Sequence, residues 1–342
     1  MSSLCVTAWY EAVQKIVILL DCFVVPPRND AKRTLFIIKT LQKYKKRIFA
    51  AKSSAMKDNL FIENLKQSTG MRVFLFLIIL MVSSLIGVAV SALFMFAGDT
   101  GLKIGQGISS VFLFVVPPIV YYFITRKAYP MRDLGFRRLA SPWWLLLAGV
   151  ALMFVSLPVT VQLNTWNQGM KLGGFFESIE TWMKALEETA TAATEKMLNV
   201  DTVGGLIINL FIIALIPAIG EELTFRGVLQ QSLTRKMNPH VAIILSAALF
   251  SFIHFQFYGF LPRMFLGVLL GYMFYITGSL WNSILMHFVN NGTAVVLYYL
   301  NNKGTINIDV DRFGATDNVW LLFASALLTS GLIAWSWWKA KR

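Results

Sequence analysis

Residues 203–227 read VGGLIINLFIIALIPAIGEELTFRG. No side chain from Val203 to Gly220 is charged, and the stretch then meets Glu221, Glu222 and Arg226. A bilayer span needs roughly 20 apolar residues, so this segment reads as a transmembrane helix. Ionisable groups inside such a helix are costly to place and mark function by default. Seven further apolar stretches flank it, so the expected spans are 73–97, 106–125, 143–162, 203–225, 240–257, 261–279, 282–300 and 319–338. The fold expected is all-α, a polytopic transmembrane helix bundle of about eight spans.

Composition agrees. Of the 342 residues, 56% are hydrophobic and only 14% charged, where soluble domains carry about 25% charged residues. This excludes a disordered or collagenous chain. The +13 net charge does not indicate nucleic acid, because charges this sparse do not build a soluble phosphate-binding surface. Residues 1–58 hold eleven Lys/Arg against four Asp/Glu, more than half of the net charge. Within them KTLQKYKK (39–46) with Arg47 is basic and amphipathic, suited to an anionic membrane surface. Cys5 and Cys22 lack metal or redox spacing. Residues 1–55 are either part of the working protein or an upstream extension ahead of Met56.

Loop charge orients the bundle. Arg126, Lys127, Arg132, Arg137 and Arg138 lie between spans two and three, Arg235 and Lys236 follow span four, and Lys339, Lys341 and Arg342 end the chain. With eight spans these fall on one side, which the positive-inside rule makes cytoplasmic, with both termini. The other side receives loop 163–202, with six acidic residues and three lysines. Phe175, Phe176, Ile179, Trp182, Met183 and Leu186 recur there at helical spacing, an amphipathic helix for the outer interface. The expected divisions are a basic extension at 1–71, N-terminal spans with the outer helix at 72–200, a polar-bearing core at 201–300, and the last span and tail at 301–342.

Two of the three histidines lie in other spans, His254 in FSFIH (250–254) and His287 in HFVNN (287–291). At 100° per residue, Arg226 lies about 40° round the helix from Glu222 but about 140° from Glu221. Glu222 and Arg226 therefore form a structural i,i+4 pair, and Glu221 is left without the arginine. Antiparallel helices joined near residue 238 put Glu221 and His254 both about 25 Å from the turn. His287 and Asn291, one turn apart on one face, come out only about 10–16 Å deep, measured from the turn near 280. A carboxylate beside an imidazole can deprotonate water, and a second imidazole with an amide can stabilise an oxyanion. Glu221, His254 and His287 also make a two-His, one-carboxylate set able to bind zinc. Both routes stay open at the level of sequence, as does a polar cluster that only joins helices.

Glu-Glu-x-x-x-Arg at 221–226, Phe-x-x-x-His at 250–254 and His-x-x-x-Asn at 287–291, in that order, resemble the CPBP family of CAAX proteases and bacteriocin-processing enzymes. That family includes prenyl endopeptidases of the Ras-converting type and abortive-infection proteins. The run LGFRR at 134–138 looks like a further, weaker family feature. The resemblance implies an intramembrane endopeptidase with its catalytic core at 201–300. It implies Glu221 as general base, His254 as its partner on the water, and His287 with Asn291 at the oxyanion. Glutamate and metal versions of the mechanism both exist for such proteins, so a divalent metal such as zinc, held by Glu221, His254 and His287, is one implied cofactor. The implied substrate is a membrane-embedded or lipidated peptide or protein, and the implied place a cell membrane, the inner membrane in a bacterium. The alternative is a non-proteolytic immunity or scaffold protein of the same fold. A transporter is disfavoured, because the polar residues cluster in three spans and no inverted repeat is visible.

Overall fold

Small polar residues open four of the long helices. Ser68 accepts from the Met71 amide, Thr202 from Gly205, Asn238 from His240 and Asn318 from Trp320. Each cap satisfies an amide that has no partner within its helix. The computed structural model describes residues 42, 43, 46, 68–94, 96–125, 135 and 143–341. Nearly all of the expected extension 1–71 lies outside the described residues. With it go Cys5, Cys22, most of the basic run 39–47 and all but Gly135 of the basic loop 126–142.

The elements are α1 (Thr69–Ala92), α2 (Gly98–Thr125), α3 (Trp143–Val155), α4 (Leu157–Gln168), α5 (Glu177–Leu198), α6 (Val203–Thr234), α7 (Pro239–Phe252), α8 (Phe260–Thr277), α9 (Leu280–Asn302) and α10 (Val319–Ala340). They belong to one unit, Ile62–Arg342, and among the described residues there is no strand. The protein is an all-helical bundle.

Each of the eight expected stretches contains a helix. By length and apolar composition α1, α2, α6, the segment Phe257–Thr277 and α10 can each cross a bilayer. The expected span 143–162 is instead two helices bent by 43°, a sixth span if the pair crosses as one. The break falls at Ser156, just before Pro158 in the first turn of α4, where proline is tolerated. Helix α7 is apolar but has only 14 residues. Helix α9 has 23 residues but carries Asn282, His287, Asn290 and Asn291.

The polarity runs inside out. Leu77, Leu85 and Val88 of α1 and Val319, Leu327 and Leu328 of α10 are exposed, while Glu222 and Arg226 are buried. That is the pattern for a chain whose outer solvent is lipid. The buried core packs Phe114, Phe225, Leu229 and Phe250 in one cluster and Ala218, Leu223, Phe274 and Ile284 in another. The two glutamates lie in sequence between Ala218 and Leu223.

Prolines shape the two helices that frame this region. A proline lacks the N–H that would bond the carbonyl four residues back. Pro118 thus leaves the Phe114 carbonyl, and Pro217 that of Ile213. Just ahead of each proline the helix widens into a π-helical stretch, Val111–Val115 in α2 and Leu210–Leu215 in α6. Neighbouring side chains take up both carbonyls. Thr224 Oγ1 of α6 donates to Phe114 O at 2.9 Å, and Asn291 Nδ2 of α9 donates to Ile213 O at 3.4 Å. Proline-freed carbonyls in membrane helices are commonly re-satisfied in this way.

Gly135, from the LGFRR run, closes the junction of α8 and α9. Its carbonyl accepts from the Leu280 amide at 3.0 Å. With φ at +91°, it meets Phe274 and Leu280 so closely that a Cβ would stand 2.7 Å from the Phe274 ring. The expected amphipathic helix of loop 163–202 is α5. It packs on the turn Phe257–Gly259, with the Trp182 and Phe257 rings 5.8 Å apart and Glu187 Oε2 accepting from the Tyr258 amide at 3.1 Å.

Candidate active site

Helix α6 supplies three charged side chains within six residues. Glu222 is fully buried, and its Oε1 accepts from Arg226 Nη1 at 2.7 Å. This is the i,i+4 pair expected from spacing. Arg226 also donates from Nη2 to the Gly267 carbonyl at 2.8 Å, and its guanidinium lies over the Phe250 ring at 4.9 Å. The contact with α8 needs a glycine, since a Cβ on residue 267 would stand 2.9 Å from Ala247 Cβ. Two opposite charges out of water are tolerable only when paired and hydrogen-bonded, and these are.

Glu221 faces elsewhere, toward two imidazoles. Its Oε1 lies 3.9 Å from His254 Nε2 and its Oε2 3.7 Å from His287 Nε2. Among the described residues its ion-pair neighbours are these histidines, whereas Glu222 holds the arginine. Both rings have their other nitrogen engaged. His254 Nδ1 lies 2.8 Å from the Phe250 carbonyl, so Nδ1 carries the proton and donates. His287 Nδ1 lies 2.9 Å from Glu222 Oε1, where the carboxylate can only accept, so Nδ1 again carries the proton. The Nε2 atoms that face Glu221 are therefore lone pairs in the neutral rings. The Phe250 ring stands edge-on to both imidazoles, at 5.2 and 5.9 Å.

His254 does not lie inside a helix. Helix α7 stops at Phe252, and His254 sits on the turn that leaves it. The next residue, Phe255, has φ of +53°, a left-handed conformation that is uncommon for a bulky side chain and clusters at functional sites. His254 is also the most open of the group, its side chain 24% exposed against 8% for Glu221 and 3% for His287.

The structure brings Glu221, Glu222, Arg226, His254 and His287 together. His287 joins the group in spite of its shallower depth by helix counting. Asn291 lies one turn further along α9, with its amide on Ile213 O and its Oδ1 accepting from Asn290 Nδ2 at 3.1 Å. Spacing assigned Glu222 to Arg226 alone and missed that the same oxygen holds His287. Phe250 and Gly267 were not singled out as site residues either. Phe250 stood in the quoted motif, but its carbonyl and ring contacts are visible only in three dimensions.

Ligands at about 2.0–2.1 Å from a tetrahedral zinc stand about 3.3 Å apart. Here each imidazole faces a different carboxylate oxygen at 3.7 and 3.9 Å. Among the described residues no group of three or more His, Cys, Asp or Glu side chains is placed to hold a metal ion. The arrangement fits a ligand set poorly. A carboxylate flanked by two imidazole nitrogens is equally a place to hold and deprotonate water.

Residues 203–293 match the family model described as Type II CAAX prenyl endopeptidase Rce1-like. The match contains Glu221, Glu222, Arg226, His254, His287 and Asn291. No curated protein and no solved structure matches the chain. The segment that carries every candidate site residue is thus similar to the CPBP/CAAX proteases, a family of intramembrane proteases.

Proposed function

We propose that the protein is an intramembrane endopeptidase in which Glu221 activates water to hydrolyse a peptide bond of a membrane-associated peptide or protein. One observation carries this reading. Of two adjacent buried carboxylates, one is neutralised by Arg226, and the other faces two imidazoles, with no arginine in ion-pair distance among the described residues.

The steps follow from the hydrogen-bond roles. A water between Glu221 and His254 donates one hydrogen to the Glu221 carboxylate and the other to the His254 Nε2 lone pair. Glu221 takes a proton as the water oxygen attacks the scissile carbonyl carbon. The carbonyl oxygen becomes an oxyanion. Once Nε2 has also taken up a proton from solvent, His287, held through Nδ1–H on Glu222, donates to it through Nε2–H. Asn291 has a second amide hydrogen beyond the one on Ile213 and contributes it. Glu221 then passes its proton to the amide nitrogen as the C–N bond breaks, leaving one new carboxyl and one new amine. Arg226 acts through Glu222, which positions His287.

The same reading places both termini on the cytoplasmic face and α5 on the opposite one, from the loop charges. The test of the glutamate route is cleavage of a membrane-anchored reporter by wild-type protein in liposomes after exhaustive chelation. Unchanged cleavage is expected. Loss of activity, restored by added zinc, would make Glu221 a ligand rather than the base.

A further inference from the structure

Beside the turn that carries His254 opens a second cavity, of about 640 Å³, between α5, the end of α4, the turn 256–258 and the outer end of α9. Its volume is within the range of ligand-binding clefts. Its lining is polar and predominantly acidic. Glu187, Glu188, Glu195 and Asp311 face a single lysine, Lys184. That lysine is already committed, with Nζ 2.7 Å from Glu180 Oε1. Glu188, Glu195 and Asp311 are exposed.

The cavity shares with the catalytic group the turn that follows α7. Gln256 and Tyr258 line it two and four residues after His254. Gln256 accepts from Arg263, and Arg263 lies within Coulombic reach of both Glu187 in the cleft and Glu221 in the site. The carboxylates are spread along the walls, and no three of them converge on a point where an ion could sit. A distributed row of negative charge suits an extended chain with several positive charges rather than one metal ion, and a predominantly acidic cleft concentrates such a partner.

We propose that this cleft is a substrate subsite that binds a Lys/Arg-rich segment of the peptide substrate next to the scissile bond. The inference rests on Glu221 as the hydrolytic centre for its role in cleavage, but binding can be measured separately. Full-length protein carrying Glu221→Gln, so that nothing is cut, is placed in phosphatidylcholine nanodiscs. Fluorescein-labelled hexalysine is titrated against it by anisotropy, with labelled hexaglutamate as control. The comparison adds Glu188→Gln, Glu195→Gln and Asp311→Asn, all exposed positions, with thermal unfolding confirming an intact fold. Hexalysine binding is expected to weaken at least tenfold in the neutralised protein and with added salt, while hexaglutamate binds neither. Absence of hexalysine binding, or equal affinity before and after neutralisation, overturns the subsite. Cleavage separates the two ideas. With the catalytic residues intact, the neutralised cleft should raise KM for a lysine-flanked reporter more than for a glutamate-flanked one. Failure of wild type to cut either reporter counts against the protease reading. Cutting both with KM values that neutralisation leaves unchanged counts against the cleft.

Discussion

His287 Nδ1 and Arg226 Nη1 both stand on the same oxygen of Glu222, at 2.9 and 2.7 Å. One buried carboxylate thus ties α6 to α9 and fixes which nitrogen of His287 faces Glu221. Removing the arginine strips that carboxylate of its countercharge in a site with no exposure. Arg226→Met should cost about 3–5 kcal/mol of stability, as for other broken buried pairs. Glu222→Gln combined with Arg226→Met should recover most of that loss but not the activity, because the charge beside His287 is gone. Unfolding in detergent and reporter cleavage, measured on both variants, check this. Full recovery of cleavage in the double variant would contradict the positioning role of Glu222.

The bond from Thr224 to Phe114 exists because Pro118 cannot make it. Thr224→Val should cost about 1–3 kcal/mol by leaving a buried carbonyl unpaired. In a Pro118→Ala background, where residue 118 regains its N–H, the same change should cost distinctly less. A double-mutant cycle on thermal unfolding measures the difference. Strict additivity would mean that the freed carbonyl is not what Thr224 satisfies.

Glu180 controls the start of α5 and titrates apart from the membrane core. Its carboxylate accepts from Lys184 Nζ at 2.7 Å and from the Leu172 and Gly173 amides at 2.8 and 3.0 Å. The lysine hydrogen bond first, then the two backbone ones, lower its pKa from 4.5 to about 2. Because the folded value is depressed, the contribution is fully present above pH 4.5 and is lost as pH falls through about 2. The protection factors of the Leu172 and Gly173 amides, with the intrinsic pH dependence of exchange divided out, should therefore hold from neutral pH down to about pH 4.5 and fall below it. Glu180→Gln should lower them already at neutral pH. Equal protection in the variant would show that the carboxylate does not anchor this loop.

Orientation in the membrane has its own test. With α5 on the outer face, the exposed Glu188 is reachable only from outside. In a Cys5→Ser, Cys22→Ser background, Glu188→Cys should react with an impermeant thiol reagent added to intact cells or right-side-out vesicles. Labelling only after the inner face is opened would reverse the topology drawn from the basic loops.

The legible parts of the site were those that depend on one helix alone. The Glu222–Arg226 pair follows from 100° steps, and the meeting of Glu221 with His254 from counting along two helices that share a short turn. His287 was not legible in the same way. Counting gives it a shallower level, because it assumes one rise per residue and no tilt. Helix α6, however, is π-helical at Leu210–Leu215 and Leu223–Gln230, and α9 packs along the first of these stretches. The freed carbonyl of Ile213 could be deduced from Pro217, but not that Asn291, 78 residues away, would take it. The end of α7 at Phe252 was hidden by an apolar run that continues through Ile253 and Phe255. Helix existence was read from hydropathy throughout. The number of crossings was not, since a bent pair and a 14-residue helix look like full spans in sequence.

The central claim is that Glu221, and not its neighbour, is the base. The direct measurement is single-turnover cleavage of a membrane-anchored reporter by wild type, Glu221→Gln and His254→Ala, each reconstituted and matched for thermal unfolding. Glu221→Gln should retain the fold and lose cleavage to background, and His254→Ala should be slower by roughly 10²–10⁴-fold. Cleavage by folded Glu221→Gln at the wild-type rate would contradict the mechanism outright.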